Sequence, residues 1–139
     1  MNKANQQNTP QYLLVGKGIP NYKRITAIEI NLEIPILLKD LNDKFSNLER
    51  QFLERLSSNE LLTWEEVMNP LYKINESLRW SWGAVCHLNA VSNTPELREA
   101  HSNQQPEVIR FINKIGQSKI IHQALTSLKE ECTEILDET

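Results

Sequence analysis

Few residues in this sequence could carry chemistry: three histidines (His87, His101 and His122), two cysteines (Cys86 and Cys132) and the adjacent carboxylates Glu65 and Glu66. A zinc site built on a helix needs ligands one turn apart on one face, as in HExxH, with a glutamate beside the two histidines as base. No two of these histidines stand three or four residues apart. Cys86 and His87 are neighbours, so on a helix they point to different sides and could chelate only with distant third and fourth ligands. Packing or solvent exposure therefore describes the histidines better than metal binding. No phosphate-cradling loop of the GxxxxGK[ST] or GxGxxG type occurs, and no G-x-S-x-G turn that would present a serine nucleophile. Glu65 and Glu66 fall where a helix begins, and acids there interact favourably with the helix dipole, which accounts for them without catalysis. No residue is assigned a catalytic, cofactor-binding or metal-ligating role.

At 139 residues the chain fits one domain with a core of its own. Its 15 basic and 18 acidic residues are intermixed and sum to a formal charge of −3, so no basic stripe awaits a phosphate backbone, and nucleic acid is excluded as a partner. The start, MNKANQQNTP, is polar, and no run approaches the roughly 18 apolar residues that span a bilayer, so the expected place is the cytoplasm, away from membranes. Both cysteines fall in helical segments outside any CxxC pair and read as reduced and packed. Four glycines and the scarcity of strand-like alternation point to an all-α fold.

The elements that must position these side chains are therefore helices. Residues 1–24 read as a flexible N-terminal arm, punctuated by Gly16, Gly18 and Pro20, and residues 25–139 as a helical domain. The first helix has two candidate starts, a capping box of Thr26 with Glu29 or a later start at Asn31, and the later one is preferred because it leaves Pro35 within the first turns. From Ile34 through Leu38, Leu41, Phe45, Leu48, Phe52 and Leu56, apolar residues recur at steps of four and three, and Ser57, Ser58 and Asn59 end the run. About 25 residues at 1.5 Å each give a rod of roughly 38 Å, which needs a partner along its length. That partner begins at the Thr63–Glu66 capping box and carries Trp64, Val67, Leu71, Ile74, Leu78, Trp82 and Val85 on one stripe, with a bend expected at Pro70. The two form an antiparallel long-helix hairpin. Trp80 points away from that stripe, towards a third element or a partner, with a third helix preferred.

Thr94 before Pro95 marks the next corner, because threonine caps a free N–H and proline at the first helical position loses no bond. A third helix runs from Pro95 towards Ile115 with a kink at Pro106. A fourth begins near Ser118 after Gly116 and carries Ile121, Leu125, Leu128, Cys132 and Ile135. The architecture expected is a four-helix up-and-down arrangement, as a bundle or as two packed hairpins.

The corner also carries a likeness. Residues 87–100, HLNAVSNTPELREA, are close to a run of His-Leu-Asn, a small apolar pair and Asn-Ser-Pro-Glu-Leu-Arg-Glu-Ala that is characteristic of the oligopeptidase A and thimet oligopeptidase family of zinc metallopeptidases. GIPNYKRI, LTWEEVMNPL, Trp82 with Val85, Pro106, and Ile115-Gly116-Gln117 match in the same order, so the chain resembles that family's N-terminal helical region from about Leu13 to Leu128. It departs at Gly83-Ala84, where the family more often has Ser-Pro, and by a few extra residues between Ile25 and Pro35. The resemblance implies a domain that packs beside a catalytic half, walls one side of a deep channel and restricts access to short peptides. The family's zinc ligands and HExxH base lie in a later half, and none of them maps onto this sequence, which implies no activity and no zinc for this chain alone. The partner the resemblance implies is a catalytic peptidase domain, while off-stripe apolar residues such as Trp80 leave open a stand-alone interaction module that binds a separate partner or a second copy. His87, inside the strongest motif, is expected to hold the hairpin to the third helix.

Overall fold

The computed structural model describes the backbone of residues 11–137 and the side chains of 11–128 and 130. Residues 1–10 of the expected arm, and the side chains of Cys132 and Ile135 on the expected fourth stripe, lie outside that range. The described residues form four helices and no strand, in an all-α fold: α1 Ala27–Ser57, α2 Trp64–Ser92, α3 Pro95–Gly116 and α4 Lys119–Asp137.

Helix α1 starts at the earlier of its two candidate positions. Thr26 is the N-cap, and its backbone N–H donates to Glu29 Oε2 at 2.9 Å, so the expected start at Asn31 is replaced by one at Ala27. Pro35 therefore sits inside the helix, where it removes one backbone bond. Two gains offset that loss: the cap at Thr26, and the burial of Ile25 and Ile30, both at the end that a later start would leave unwound. The far end of α1 closes on Asn59 in the left-handed region (φ 56°), with the Glu60 N–H reaching back to the Arg55 carbonyl at 3.0 Å. Arg55 ties this end to the start of α2 by ion pairs to Glu60 (2.8 Å) and Glu66 (2.7 Å).

Helix α2 is capped by Thr63, whose hydroxyl accepts from the Glu66 N–H at 3.2 Å, and it runs unbroken through Pro70. Its buried face comprises Val67, Leu71, Ile74, Leu78, Ala84, Val85 and Leu88. Trp64, expected on that stripe, is instead exposed, because it is the first helical residue and Leu62, just before the cap, fills the end of the core in its place. The antiparallel pairing of α1 with α2 is visible from Arg55 beside Glu66 at one end to Glu33 and Ser81, which hold the same residue, at the other.

Helix α3 lies against α1 in the same direction. Gln104 donates to Asn31 at 3.0 Å, Lys114 donates to Asn42 at 3.0 Å, and the rings of Phe111 and Phe45 meet edge to face at 6.3 Å. At the next corner Ser118 bonds Glu49 Oε2 at 2.8 Å and accepts from the Ile121 N–H at 3.3 Å, so one hydroxyl both caps α4 and fixes it to α1. Among the described residues, helix α4 then packs on α1 and α2. α1 touches all three others, and Phe45, Ile34 and Leu41 at its centre are fully buried.

Candidate functional site

Two constellations on α2 bring polar or aromatic groups together. The first encloses the N-terminal arm. A turn closed by the Leu14 N–H on the Gln11 carbonyl (3.1 Å) drives the Leu13 side chain into the core, where none of its surface remains exposed. Burial leaves the Leu13 main chain needing partners. Glu33 Oε1 accepts its N–H at 3.0 Å, and the Ser81 hydroxyl donates to its carbonyl at 2.6 Å. Farther along, the Trp80 indole N–H donates to the Gly18 carbonyl at 2.9 Å. Gly16 and Gly18 both take φ of +74°, a conformation other side chains rarely adopt, which lets the arm turn between its two anchors. Burial pushes the Glu33 carboxyl above its ordinary range; the bond from Leu13 opposes this and the nearby charge of Glu29 adds to it. Trp80 thus faces a third element, but that element is the arm and not the third helix the sequence favours.

The second constellation joins α2 to α3. The His101 ring stacks on Trp82 with centroids 4.9 Å apart and planes 24° from parallel, and its Nε2 lies 3.6 Å from Cys86 Sγ. Burial pushes the Cys86 thiol up, away from the thiolate a nucleophile requires. The contact is one of packing. His87, expected to hold α2 to α3, is exposed and meets Tyr22 of the arm at 5.0 Å, and His101 makes the α2–α3 contact instead. Adjacent residues on a helix leave in different directions, so the side of α2 that takes Cys86 to α3 sends His87 to the arm. His122 is separate from both: its Nε2 lies 2.9 Å from the Gly116 carbonyl, and since a carbonyl only accepts, that nitrogen carries the proton. The three histidines therefore meet three different partners. Among the described residues no group of three or more His, Cys, Asp or Glu side chains is placed to hold a metal ion.

The corner between these helices is built locally. Asn93 ends α2 in the left-handed region (φ 41°), which its short polar side chain tolerates. Thr94 accepts from the Leu97 N–H at 3.2 Å, and Arg98 grips both oxygens of Asn93 at 3.0 and 2.9 Å.

Sequence reasoning missed one surface. Ile28, Leu32 and Ile36 recur at steps of four on the solvent side of α1, exposed by 69%, 63% and 49%, and Val15 of the arm lines a hollow together with Ile36. The steps of four are visible in the sequence, but they run beside the stronger core stripe and pass for part of it.

The profile of the neurolysin/thimet oligopeptidase N-terminal domain matches residues 34–137, which takes in most of α1 and all of α2, α3 and α4. The chain belongs to that family. It is 34% identical over 118 residues to the organellar oligopeptidase A of Arabidopsis thaliana, 31% over 117 to oligopeptidase A of Haemophilus influenzae and 30% over 118 to that of Escherichia coli. These alignments cover 84–85% of this chain and 14–16% of the relatives, so the chain spans about one sixth of the proteins it matches. No solved structure gives a significant match. The family domain includes the corner at Asn93–Thr94 and the Trp82–His101 stack, whereas the arm that enters the clamp precedes the matched residues.

Proposed function

We propose that this chain is the substrate-gating wall of an oligopeptidase A-like zinc peptidase: a helical domain that packs beside a catalytic half, narrows its channel so that short peptides pass, and cleaves nothing by itself. The observation that carries the reading is the exposed apolar row Ile28, Leu32 and Ile36, next to Val15, on a chain whose family domain matches one part of much longer peptidases. Four branched aliphatic side chains held in water on one side of a domain fit a surface that meets another body. Zinc and the attacking water belong, in this reading, to the catalytic half, and the location is the cytoplasm.

Mixing the purified chain with Escherichia coli oligopeptidase A that lacks its matching N-terminal segment tests the reading. The chain should bind the truncated enzyme and alter its cleavage of a long peptide relative to a short one, and Leu32→Asp should abolish both effects. Hydrolysis of a quenched fluorescent peptide by this chain alone, dependent on zinc and stopped by a chelator, would overturn the claim that it is inactive. The same apolar row supports a second reading, an interaction module that pairs with its own copy. Sedimentation separates the two readings, since self-association gives a mass that rises with concentration and falls back to a monomer in Leu32→Asp.

A further inference from the structure

The clamp on the arm reads main chain. Glu33 takes the N–H of Leu13, Ser81 gives to its carbonyl, and Trp80 gives to the carbonyl of Gly18. All three bonds run from a side chain of the helical body to a backbone atom of the arm, across 20, 68 and 62 residues of sequence. Bonds to backbone atoms do not depend on which residue supplies them, and in peptide recognition they supply affinity while a side-chain pocket supplies selectivity. Here the pocket is the slot that buries Leu13 completely. The backbone bonds of the arm itself are local turns, Leu14 to Gln11, Tyr22 to Pro20 and Arg24 to Asn21, so the arm carries its own shape into the clamp. Two glycines at φ +74° lie between the leucine and the rest of the arm and give it a jointed connection.

We propose that Glu33, Ser81 and Trp80 form a receptor for a turn-forming linear peptide that presents leucine, and that residues 11–22 are its built-in occupant. The seated arm shows what the site selects: a tight turn, one branched aliphatic side chain, and a main chain offering one N–H and two carbonyls. A peptide of this kind from another molecule binds when the arm is released. The receptor needs neither the catalytic half nor cleavage, so it stands or falls apart from the channel-wall reading.

The experiment uses the full chain and a fluorescein-labelled synthetic peptide, QYLLVGKGIPNY, with the sequence of residues 11–22. Leu13→Asp releases the arm, since a carboxylate cannot occupy a fully buried apolar slot. Fluorescence anisotropy should show the released chain binding the probe at least about tenfold more tightly than the unaltered chain, whose own arm competes at a local concentration of about millimolar. Adding Ser81→Ala should weaken the probe about tenfold, the effect of one lost hydrogen bond. A probe carrying aspartate in place of its leucine should not bind. Equal binding by the unaltered and released chains, no binding by the released chain, or equal binding of the two probes would each overturn the proposal. Circular dichroism verifies that the released chain keeps its helices; if they are lost, Leu13→Ala replaces Leu13→Asp in the same comparison, with the same outcomes deciding.

Discussion

The corner at Asn93–Thr94 and the arm at residues 11–25 both lie against α2, yet they are fixed by opposite means. At the corner, Thr94 bonds Leu97 and Arg98 bonds Asn93, over spans of three and five residues. The arm is held by Glu33, Trp80 and Ser81 over spans of 20, 62 and 68. A local bond forms as soon as its own turn forms, while a long-range bond waits until α1 and α2 are already paired. The corner therefore helps to make the fold, and the arm is received by it.

Substitutions can break or sharpen this contrast. The largest effect belongs to the arm's anchor: Leu13→Ala should lower stability by about 2–5 kcal/mol in urea unfolding, the usual cost of emptying a buried leucine site. The helical circular dichroism before the transition should stay unchanged, because Leu13 itself belongs to no helix. A loss of helix at zero denaturant would show that the arm builds the fold. Ser81→Ala comes next, at about 1–3 kcal/mol, since it leaves the buried Leu13 carbonyl without its donor. Combined with Leu13→Ala it should cost less than the sum of the two, because an unseated arm has nothing left to lose at Ser81. At the corner, Thr94→Ala should cost about 1 kcal/mol, the loss of one N-cap, and should add fully to Leu13→Ala.

The smallest effect is that of pH on Glu33. Its carboxyl is raised from the ordinary 4.5 by burial, with the Leu13 N–H opposing and Glu29 adding. Between the ordinary value and the raised one the folded chain holds a proton that the unfolded chain has released, so stability falls as pH rises through that window. Glu33→Gln keeps an oxygen for the Leu13 N–H and removes the titration. Unfolding midpoints of the two chains measured from pH 4 to 7 should show the native chain losing ground to the variant as pH rises. Parallel curves would mean that Glu33 titrates like a free carboxylate.

What could be read from the sequence follows the same division. Thr63 and Thr94 announce α2 and α3 because a cap, its acceptor distance and the following apolar spacing all lie within one turn. Phe45, Leu48 and Phe52 are legible as core because helix periodicity depends only on neighbours three and four apart. The start of α1 required a comparison that sequence cannot make: Pro35 costs a bond locally, while Ile25 and Ile30 repay it only by burial against distant helices. The element that Trp80 and His87 meet escapes the sequence for the same reason. Their direction off the core stripe was readable, but what stands in that direction is the arm, which has no periodicity to announce where it lies. The clamp combines Glu33, Ser81 and Leu13 from three separate segments and left no local mark at all.

Among the described residues α2, α3 and α4 each lean on α1, which makes α1 the keystone they share. Deuterium should enter the amides of α4 through partial opening events that leave α1, α2 and α3 assembled, whereas the amides around Phe45 should exchange only when the entire chain opens. The last helix can then peel away and return without the rest coming apart.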